Sequence, residues 1–240
     1  MTHVPFSYTN RTGRASGRTV RALSALLPGV ADVQGQVDAY ADAWHAHNLR
    51  SLNSPGRRWV VLGDSMSLGI GASRHDAGWV GQLATRLEAS GHPLQVLNLG
   101  ATGARVRDVL DQQLAVVAAL EPRVEDLVTV MVGSNDLFAG RALRAELPQA
   151  YSELVDRVPP GSVVAALTQP PDAAHRANAH LERAATAGRI RLADLRVTGP
   201  PSWRGLLAAD FFHPNDAGYT AIASGFEPTI RARLQEDIPS

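Results

Sequence analysis

The stretch "VVLGDSMSLG", residues 60–69, joins an apolar run typical of a buried strand to a polar turn flanked by glycines. Such a turn needs no chemistry to explain it, since Gly, Asp and Ser are all common turn residues. The stretch also lacks the G-x-S-x-G pattern that marks the nucleophile of α/β-hydrolases. Whether Ser65 is reactive therefore depends on the rest of the chain.

The apolar run of this stretch is the first of five, and helical patterns separate them. The runs predict strands at 59–62, 94–99, 127–132, 163–167 and 190–195. The intervening patterns predict helices at about 79–90, 103–120, 141–157, 173–187 and 216–234. Near-continuous apolar strands that alternate with helices indicate a parallel sheet covered on both faces. The sequence therefore predicts an α/β fold with a parallel five-stranded sheet.

Three segments differ in composition along the chain. Residues 1–28 are rich in Arg, Ser, Thr and Gly without periodicity, which predicts a loose N-terminal arm. Residues 29–55 carry apolar side chains at helical spacing, which predicts a helical extension packed on the main domain. The turn "NSPGRR" (53–58) precedes the main domain, which we place at 56–240.

Composition narrows the function classes. Of the 240 residues 45% are hydrophobic, and the formal net charge is zero, which argues against nucleic acid as a main partner. The chain has no Cys, which excludes disulfides, thiol nucleophiles and thiolate metal sites. No apolar run reaches the roughly 18 residues of a membrane span, so we expect no stable membrane insertion and a cytoplasmic location. Nothing in the sequence indicates the oligomeric state.

Polar residues collect where the predicted strands end and before the last helix. They fall in four clusters: Gly63-Asp64-Ser65, "NLGATG" (98–103), "GSND" (133–136) and "DFFHPND" (210–216). The carboxyl ends of parallel strands share one edge of the sheet, and this edge is where ligands bind in such folds. The sequence therefore predicts a site that combines a hydroxyl, backbone amides, a carboxamide, an imidazole and a carboxylate.

This set of groups meets the requirements of acyl transfer. A Ser hydroxyl such as that of Ser65 becomes nucleophilic when an imidazole, here His213, removes its proton. The imidazole in turn needs a carboxylate, here Asp210, to fix its tautomer. The oxyanion of the tetrahedral intermediate needs preorganised donors, which the amides of Ser65 and Gly100 and the side chain of Asn135 can offer. No metal and no cofactor is required.

The blocks "GDSMS", "NLGATG", "GSND" and "DFFHPN" resemble, in this order and spacing, those of the SGNH (GDSL-type) hydrolases over residues 57 to 235. The resemblance implies a flavodoxin-like three-layer α/β/α sandwich and a serine esterase acting on a small-molecule ester. It implies Ser65 as nucleophile, Asp210 and His213 as its acid and base partners, and an oxyanion hole of Ser65, Gly100 and Asn135. The first block reads GDSMS rather than GDSL, which says nothing about the substrate.

Further expectations concern the surroundings of the site. We expect Asp64 and Asp136 to brace their loops, Gly103 to be a turn residue, and Leu137 or Phe138 to contact an acyl group. Short connections without an inserted lid favour small or short-chain esters. An O-acyltransferase or a thioesterase would use the same residues, and a non-catalytic binding module is the alternative from another class.

Overall fold

A single parallel sheet forms the centre of the molecule. The computed structural model describes residues 6–14, 24–169 and 172–236. The strands are β1 Arg58–Gly63, β2 Gln95–Asn98, β3 Leu127–Met131, β4 Val163–Ala165 and β5 Arg191–Ala193. Their order is β2-β1-β3-β4-β5, and every pairing is parallel. The predicted five-stranded parallel sheet is confirmed, although every strand except β1 is shorter than its apolar run.

Helices connect the strands and flank the sheet. They are α1 Pro28–Leu52, α2 Ser65–Leu68, α3 Trp79–Ala89, α4 Val106–Asp108, α5 Leu114–Ala119, α6 Ser134–Phe138, α7 Arg141–Arg157, α8 Asp172–Thr186, α9 Leu195–Thr198 and α10 Asp216–Gln235. A π-helical turn, Val109–Gln113, joins α4 to α5. The sequence did not predict α2, α6 and α9, because a helix of four or five residues leaves no periodicity to detect. No described helix is long and apolar enough to cross a bilayer.

The two faces of the sheet carry separate apolar cores, which makes the fold a three-layer sandwich. In β1, Val60 and Leu62 face the layer formed by the α4–α5 segment, α7 and α8. Trp59 and Val61 point to the opposite face and pack with α1, α3 and α10. Side chains alternate along a strand, so a strand that is apolar at every position buries residues in both cores.

Helix α1 is the predicted N-terminal amphipathic helix, and it lies against the edge strand β2. Pro28 occupies its first position, where the missing N–H has no partner to lose. Val33, Ala41 and Trp44 are buried on one face of this helix. The Trp44 indole donates a hydrogen bond to the carbonyl of Leu68, at a distance of 3.0 Å, so α1 contacts the end of α2 directly.

The expectation of a loose arm over residues 1–28 is wrong for residues 6–14. Asn10 is only 1% exposed, and the Tyr8 hydroxyl donates to the carbonyl of Leu99 at 2.6 Å. The sequence did not show this packing, because polar side chains that bind backbone carbonyls need no apolar periodicity. Residues 1–5 and 15–23 of the predicted arm lie outside the described residues, and the division at residues 28 and 55 stays a prediction.

Trp79 provides a test of the core on the α3 side. Its ring is fully buried and stacks on Phe226 with 4.3 Å between ring centroids. Trp79→Ala should lower the free energy of unfolding by about 3–5 kcal/mol, because the lost contacts leave a cavity. Urea denaturation measures this change. Val124→Ala, at a side chain that is 88% exposed, is the control and should change it by less than about 0.5 kcal/mol. A Trp79→Ala loss as small as the control's would contradict this packing.

Candidate active site

The turn from β1 into α2 presents Ser65. Gly63 has φ of +158°, and a Cβ added there would lie 2.3 Å from both the Met131 carbonyl oxygen and the Ser67 hydroxyl. Only glycine fits this position, so the close approach of β1, β3 and α2 depends on it. The Asp64 side chain caps α2 by accepting a hydrogen bond from the Met66 amide. Ser65 is therefore the first residue of α2, directly beyond the carboxyl end of β1.

The structure brings Ser65, His213 and Asp210 into one hydrogen-bonded chain. The Ser65 hydroxyl and His213 Nε2 are 3.0 Å apart, and His213 Nδ1 and Asp210 Oδ2 are 2.6 Å apart. Because a carboxylate only accepts, Nδ1 carries the proton and Nε2 is left to accept from the hydroxyl. The distances fall within the range for a nucleophile and its base. Two residues 148 positions apart thus meet at the end of β1.

Asp210 is held in its ionised form. Burial alone would raise the pKa of its carboxyl, but the hydrogen bond from the His213 ring and the charge of His213 lower it. The amides of Phe212 and His213 each donate to Asp210 Oδ1 at 3.0 Å and add to this effect. The pKa of Asp210 therefore lies below its usual value. An ionised Asp210 can stabilise a positive charge on the imidazole.

The Gly100 amide does not fit the oxyanion role that the sequence predicted for it. Its N–H donates to Asn98 Oδ1 at 2.9 Å, and Gly100 is buried. A Cβ at Gly100 would lie 2.8 Å from the Ser67 Cβ, which is a packing reason for glycine at this position. The sequence could not distinguish this packing glycine from a donor glycine, because both follow the same strand.

A tight turn over residues 101–104 lies between the end of β1 and Asn135. The Ala101 amide donates to the Gly63 carbonyl at 3.2 Å, and the Ala104 amide closes the turn on the Ala101 carbonyl at 3.0 Å. Gly103, with φ of +76°, has the backbone that the third position of a type II turn requires. Among the described residues, no acceptor forms a hydrogen bond with the Gly103 amide. Gly103 therefore offers a free donor beside the site.

Asn135 lies at the start of α6 and contacts this turn. Its Nδ2 donates to the Ala104 carbonyl at 2.9 Å, which uses one of the two N–H bonds of the side-chain amide. Asn135 is half-buried, and its second N–H has no recorded partner within the described part of the chain. The bond to Ala104 fixes the orientation of the Asn135 amide and leaves one donor for a ligand.

Two buried carboxyls brace the loops around Ser65, as expected. Asp64 accepts from the Met66 amide at 3.0 Å, and Asp136 accepts from the Val106 amide at 3.2 Å. Burial raises the pKa of Asp64 to about 7, although the Met66 amide and the charge of His213 oppose the shift. Burial likewise raises the pKa of Asp136 to about 6. Both carboxyls therefore hold their protons more tightly than an exposed Asp.

A cavity of about 580 Å³ lies at the carboxyl ends of β3 and β4, and Met66 and Pro214, the chain neighbours of Ser65 and His213, are part of its lining. Its mainly apolar lining includes Met66, Met131, Phe138, Ala166, Leu207 and Phe212. Phe138 is 60% exposed and meets Phe212 edge-on, with 5.6 Å between ring centroids. Leu137, by contrast, is 1% exposed and packs in the core on the α7 side. Of the two expected acyl contacts, only Phe138 lies on this cavity.

Two buried side-chain amides, those of Asn98 and Gln113, hold the backbone behind the site, and the sequence did not predict these roles. Asn98 donates from Nδ2 to the Ser67 carbonyl at 2.7 Å, and thereby ties the end of β2 to α2. The Gln113 side chain bonds both the N–H and the carbonyl of Gly63, each at 2.8 Å. Asn98 belongs to the polar cluster at 98–103, but its residue type does not show which backbone group it binds. Gln113 carries no such signal within its helical segment.

The raised pKa of Asp64 predicts how stability depends on pH. Between the usual Asp value of 3.8 and about 7, the folded state keeps a proton that the unfolded state has released. The stabilising contribution of the Asp64 carboxyl to the free energy of unfolding is therefore present at acid pH and is lost as the pH rises to about 7. Asp64→Asn keeps an acceptor for the Met66 amide but cannot ionise. Urea denaturation from pH 4 to 8 should show a steeper loss of stability with rising pH in the wild type. Parallel profiles would contradict a raised pKa.

Comparisons with known proteins agree with this architecture. The family model of the GDSL-like lipases/acylhydrolases matches residues 61–221. The crystal structure of TesA superposes with a TM-score of 0.61 at 24% identity, covering 74% of this chain and 100% of TesA. A Clostridium thermocellum family 3 carbohydrate esterase superposes with a TM-score of 0.61 at 20% identity, covering 75% of this chain and 98% of the esterase chain. A variant of Axe2, an acetyl xylan esterase from Geobacillus stearothermophilus, superposes with a TM-score of 0.55 at 22% identity, covering 74% of this chain and 95% of the esterase chain. No curated protein matches the chain.

Proposed function

Because the chain belongs to the GDSL-like lipase/acylhydrolase family, we propose that it hydrolyses carboxylic esters with Ser65 as its nucleophile. The observation that carries the proposal is the hydrogen-bonded chain from the Ser65 hydroxyl through His213 to Asp210, with distances of 3.0 and 2.6 Å. A structural role alone would not require an unbroken chain of hydrogen bonds from a carboxylate through an imidazole to a serine hydroxyl.

In the first half of the reaction, Ser65 Oγ attacks the ester carbonyl carbon while His213 Nε2 takes the hydroxyl proton. The imidazolium that forms is stabilised by the ionised Asp210, which stays unprotonated. Collapse of the tetrahedral intermediate breaks the bond to the alcohol oxygen, and His213 returns the proton to this leaving group. The products of this half are the free alcohol and an acyl group on Ser65.

In the second half, water repeats the same steps. His213 Nε2 takes a proton from a water molecule, whose oxygen attacks the acyl carbon on Ser65. The second tetrahedral intermediate then releases the carboxylic acid, and Ser65 regains its proton from His213. Both intermediates carry one negative oxygen that must be stabilised in the same place.

We assign this oxyanion hole to the Ser65 amide, the Gly103 amide and Asn135 Nδ2, so that Gly103 replaces the expected Gly100. The assignment is supported by the bond that occupies the Gly100 amide, from its N–H to Asn98 Oδ1 at 2.9 Å. It is also supported by the turn that joins Gly103 to the Ala104 carbonyl on which Asn135 is anchored. Each such donor is worth about a hundred- to a thousand-fold in rate.

Ser65→Ala tests the nucleophile. It should lower kcat on p-nitrophenyl butyrate by at least about a thousand-fold, because no other hydroxyl lies against His213 Nε2 among the described residues. The rate is followed by p-nitrophenolate release. Ser90→Ala is the control, since the Ser90 hydroxyl bonds the Leu87 carbonyl at the end of α3. It should leave kcat unchanged, and undiminished turnover by Ser65→Ala would refute the assignment.

The cavity beside the triad supports a short apolar acyl group as part of the substrate. Its volume of about 580 Å³ lies within the range of roughly 300–1,000 Å³ that is usual for ligand pockets. An acetyl group would fill little of this volume, whereas each further methylene that is buried in the cavity adds up to about 0.8 kcal/mol to the free energy of binding. We therefore propose short-chain esters longer than acetate. The cytoplasmic location stays a prediction from sequence.

A chain-length series tests this use of the cavity. The wild type should show a kcat/KM on p-nitrophenyl butyrate at least several-fold above that on the acetate. Leu207→Trp replaces a leucine of the cavity lining by a bulkier indole ring, and should reduce kcat/KM on the butyrate more than kcat/KM on the acetate. Acetate as the best substrate, or an equal loss for both esters, would show that the acyl group does not enter the cavity.

A further inference from the structure

The arm formed by residues 6–14 runs along the segment that carries the proposed oxyanion turn. Arg11 and Thr102 pair as an isolated parallel bridge. Every second side chain of the arm donates to a carbonyl of this segment. These bonds are Tyr8 to Leu99 at 2.6 Å, Asn10 to Asn98 at 2.7 Å and to Gly100 at 2.9 Å, Thr12 to Thr102 at 3.4 Å, and Arg14 to Gly103 at 3.0 Å. This alternation is that of an extended strand with one face turned to its partner.

Helix α1 secures the same segment at its start. Asn48 lies fully buried on this helix and donates to the Asn98 carbonyl at 2.7 Å, while its Oδ1 accepts from the Asn98 amide at 2.8 Å. Its side-chain amide thus pairs with the last residue of edge strand β2 as a further strand would. Asn10 Nδ2 shares the Asn98 carbonyl. The arm and α1 together hold the backbone from Asn98 onward.

The two carbonyls next to the free Gly103 amide are both held by the arm. A trans peptide is planar, so the Thr102 carbonyl and the Gly103 N–H point in opposite directions. Thr12 Oγ1 binds that carbonyl on the arm side, which directs the Gly103 N–H away from the arm. Arg14 binds the next carbonyl, that of Gly103, and also forms an ion pair with Asp108. Rotation of the peptide that joins Thr102 to Gly103 would break the hydrogen bond from Thr12 Oγ1 to the Thr102 carbonyl.

We propose that the arm is a positioning element for ester hydrolysis, in which Thr12 and Arg14 orient the Gly103 amide toward the oxyanion. This inference rests on the proposed function. Both residues act through Gly103 and touch no substrate. They lie before residue 61, where the match to the family model begins. The chain thus uses a segment outside the shared domain to preorganise a group inside it.

The double variant Thr12→Val/Arg14→Met tests the proposal, because neither new side chain carries an N–H or O–H donor and each stays close in size to the original. Its kcat on p-nitrophenyl butyrate should fall by about ten-fold or more, since a displaced donor loses most of its effect in the transition state. KM should change by less than about two-fold, because ground-state binding does not use this donor. Thr12→Ser/Arg14→Lys restores a hydroxyl and a charged donor and should recover much of the rate.

Arg11→Met is the matched control within the same arm. Arg11 points to the other side and binds Asp38 at 3.1 Å and Asp42 at 2.9 Å, both on α1. Its loss weakens the attachment of the arm without touching the carbonyls of the turn. The control should keep kcat within about two-fold of the wild type. An equal loss in the control and the double variant would reduce the arm to a purely structural role and overturn the proposal.

Labelling by a fluorophosphonate separates this inference from the proposed function. The reagent bonds to a reactive serine and develops charge on its phosphoryl oxygen, so its second-order rate constant reports the oxyanion hole without an ester substrate. We expect labelling of Ser65 in the wild type, and a rate lowered in parallel with kcat in the double variant. Equal rates in both proteins would overturn the role of the arm alone. A wild type that is not labelled at Ser65 would refute the proposed function and, with it, this inference.

Discussion

Strand β1 is hydrogen-bonded on both sides, to β2 at one edge and to β3 at the other, and all three strands run in the same direction. Their carboxyl ends therefore meet, and each delivers one part of the site. β1 leads into Ser65, β2 into the turn that contains Gly103, and β3 into Asn135. The strand order reverses between β1 and β3, which is the switch point at which ligands bind in folds of this strand order. The only group in the proposed site that arrives from elsewhere in the chain is the Asp210–His213 pair.

Buried amide side chains fix the distances between these loops. Asn98 joins the end of β2 to α2, and Gln113 holds both backbone groups of Gly63. A buried amide that lost its partner would cost about 1–3 kcal/mol, so each bond favours one arrangement of the loops over its alternatives. Asn10 and Asn48 extend this network to the arm and to α1. The N-terminal segments thus belong to the framework of the site rather than to its periphery.

The sequence predicted the sheet, its helical layers and the four polar blocks, because apolar periodicity and short local motifs are visible in a single chain. A single sequence does not show which of Gly100 and Gly103 can donate to an oxyanion. The answer depends on which backbone amide already donates a hydrogen bond within the protein, and that amide is the one of Gly100. Leu137 and Phe138 are adjacent apolar residues, and only the direction of α6 decides that one is buried and the other exposed. The arm was missed because its contacts are side-chain bonds to carbonyls 88 or more positions away.

The most direct test of this account is a crystal structure of the chain after reaction with a phosphonate ester inhibitor. We predict that phosphorus is bonded to Ser65 Oγ and that the phosphoryl oxygen lies about 3 Å from the amides of Ser65 and Gly103 and from Asn135 Nδ2. His213 should remain hydrogen-bonded to Asp210 in this complex. Phosphorus on another residue would contradict the assignment of Ser65 as nucleophile. A phosphoryl oxygen bound by the Gly100 amide, with its bond to Asn98 broken, would contradict the oxyanion hole described above.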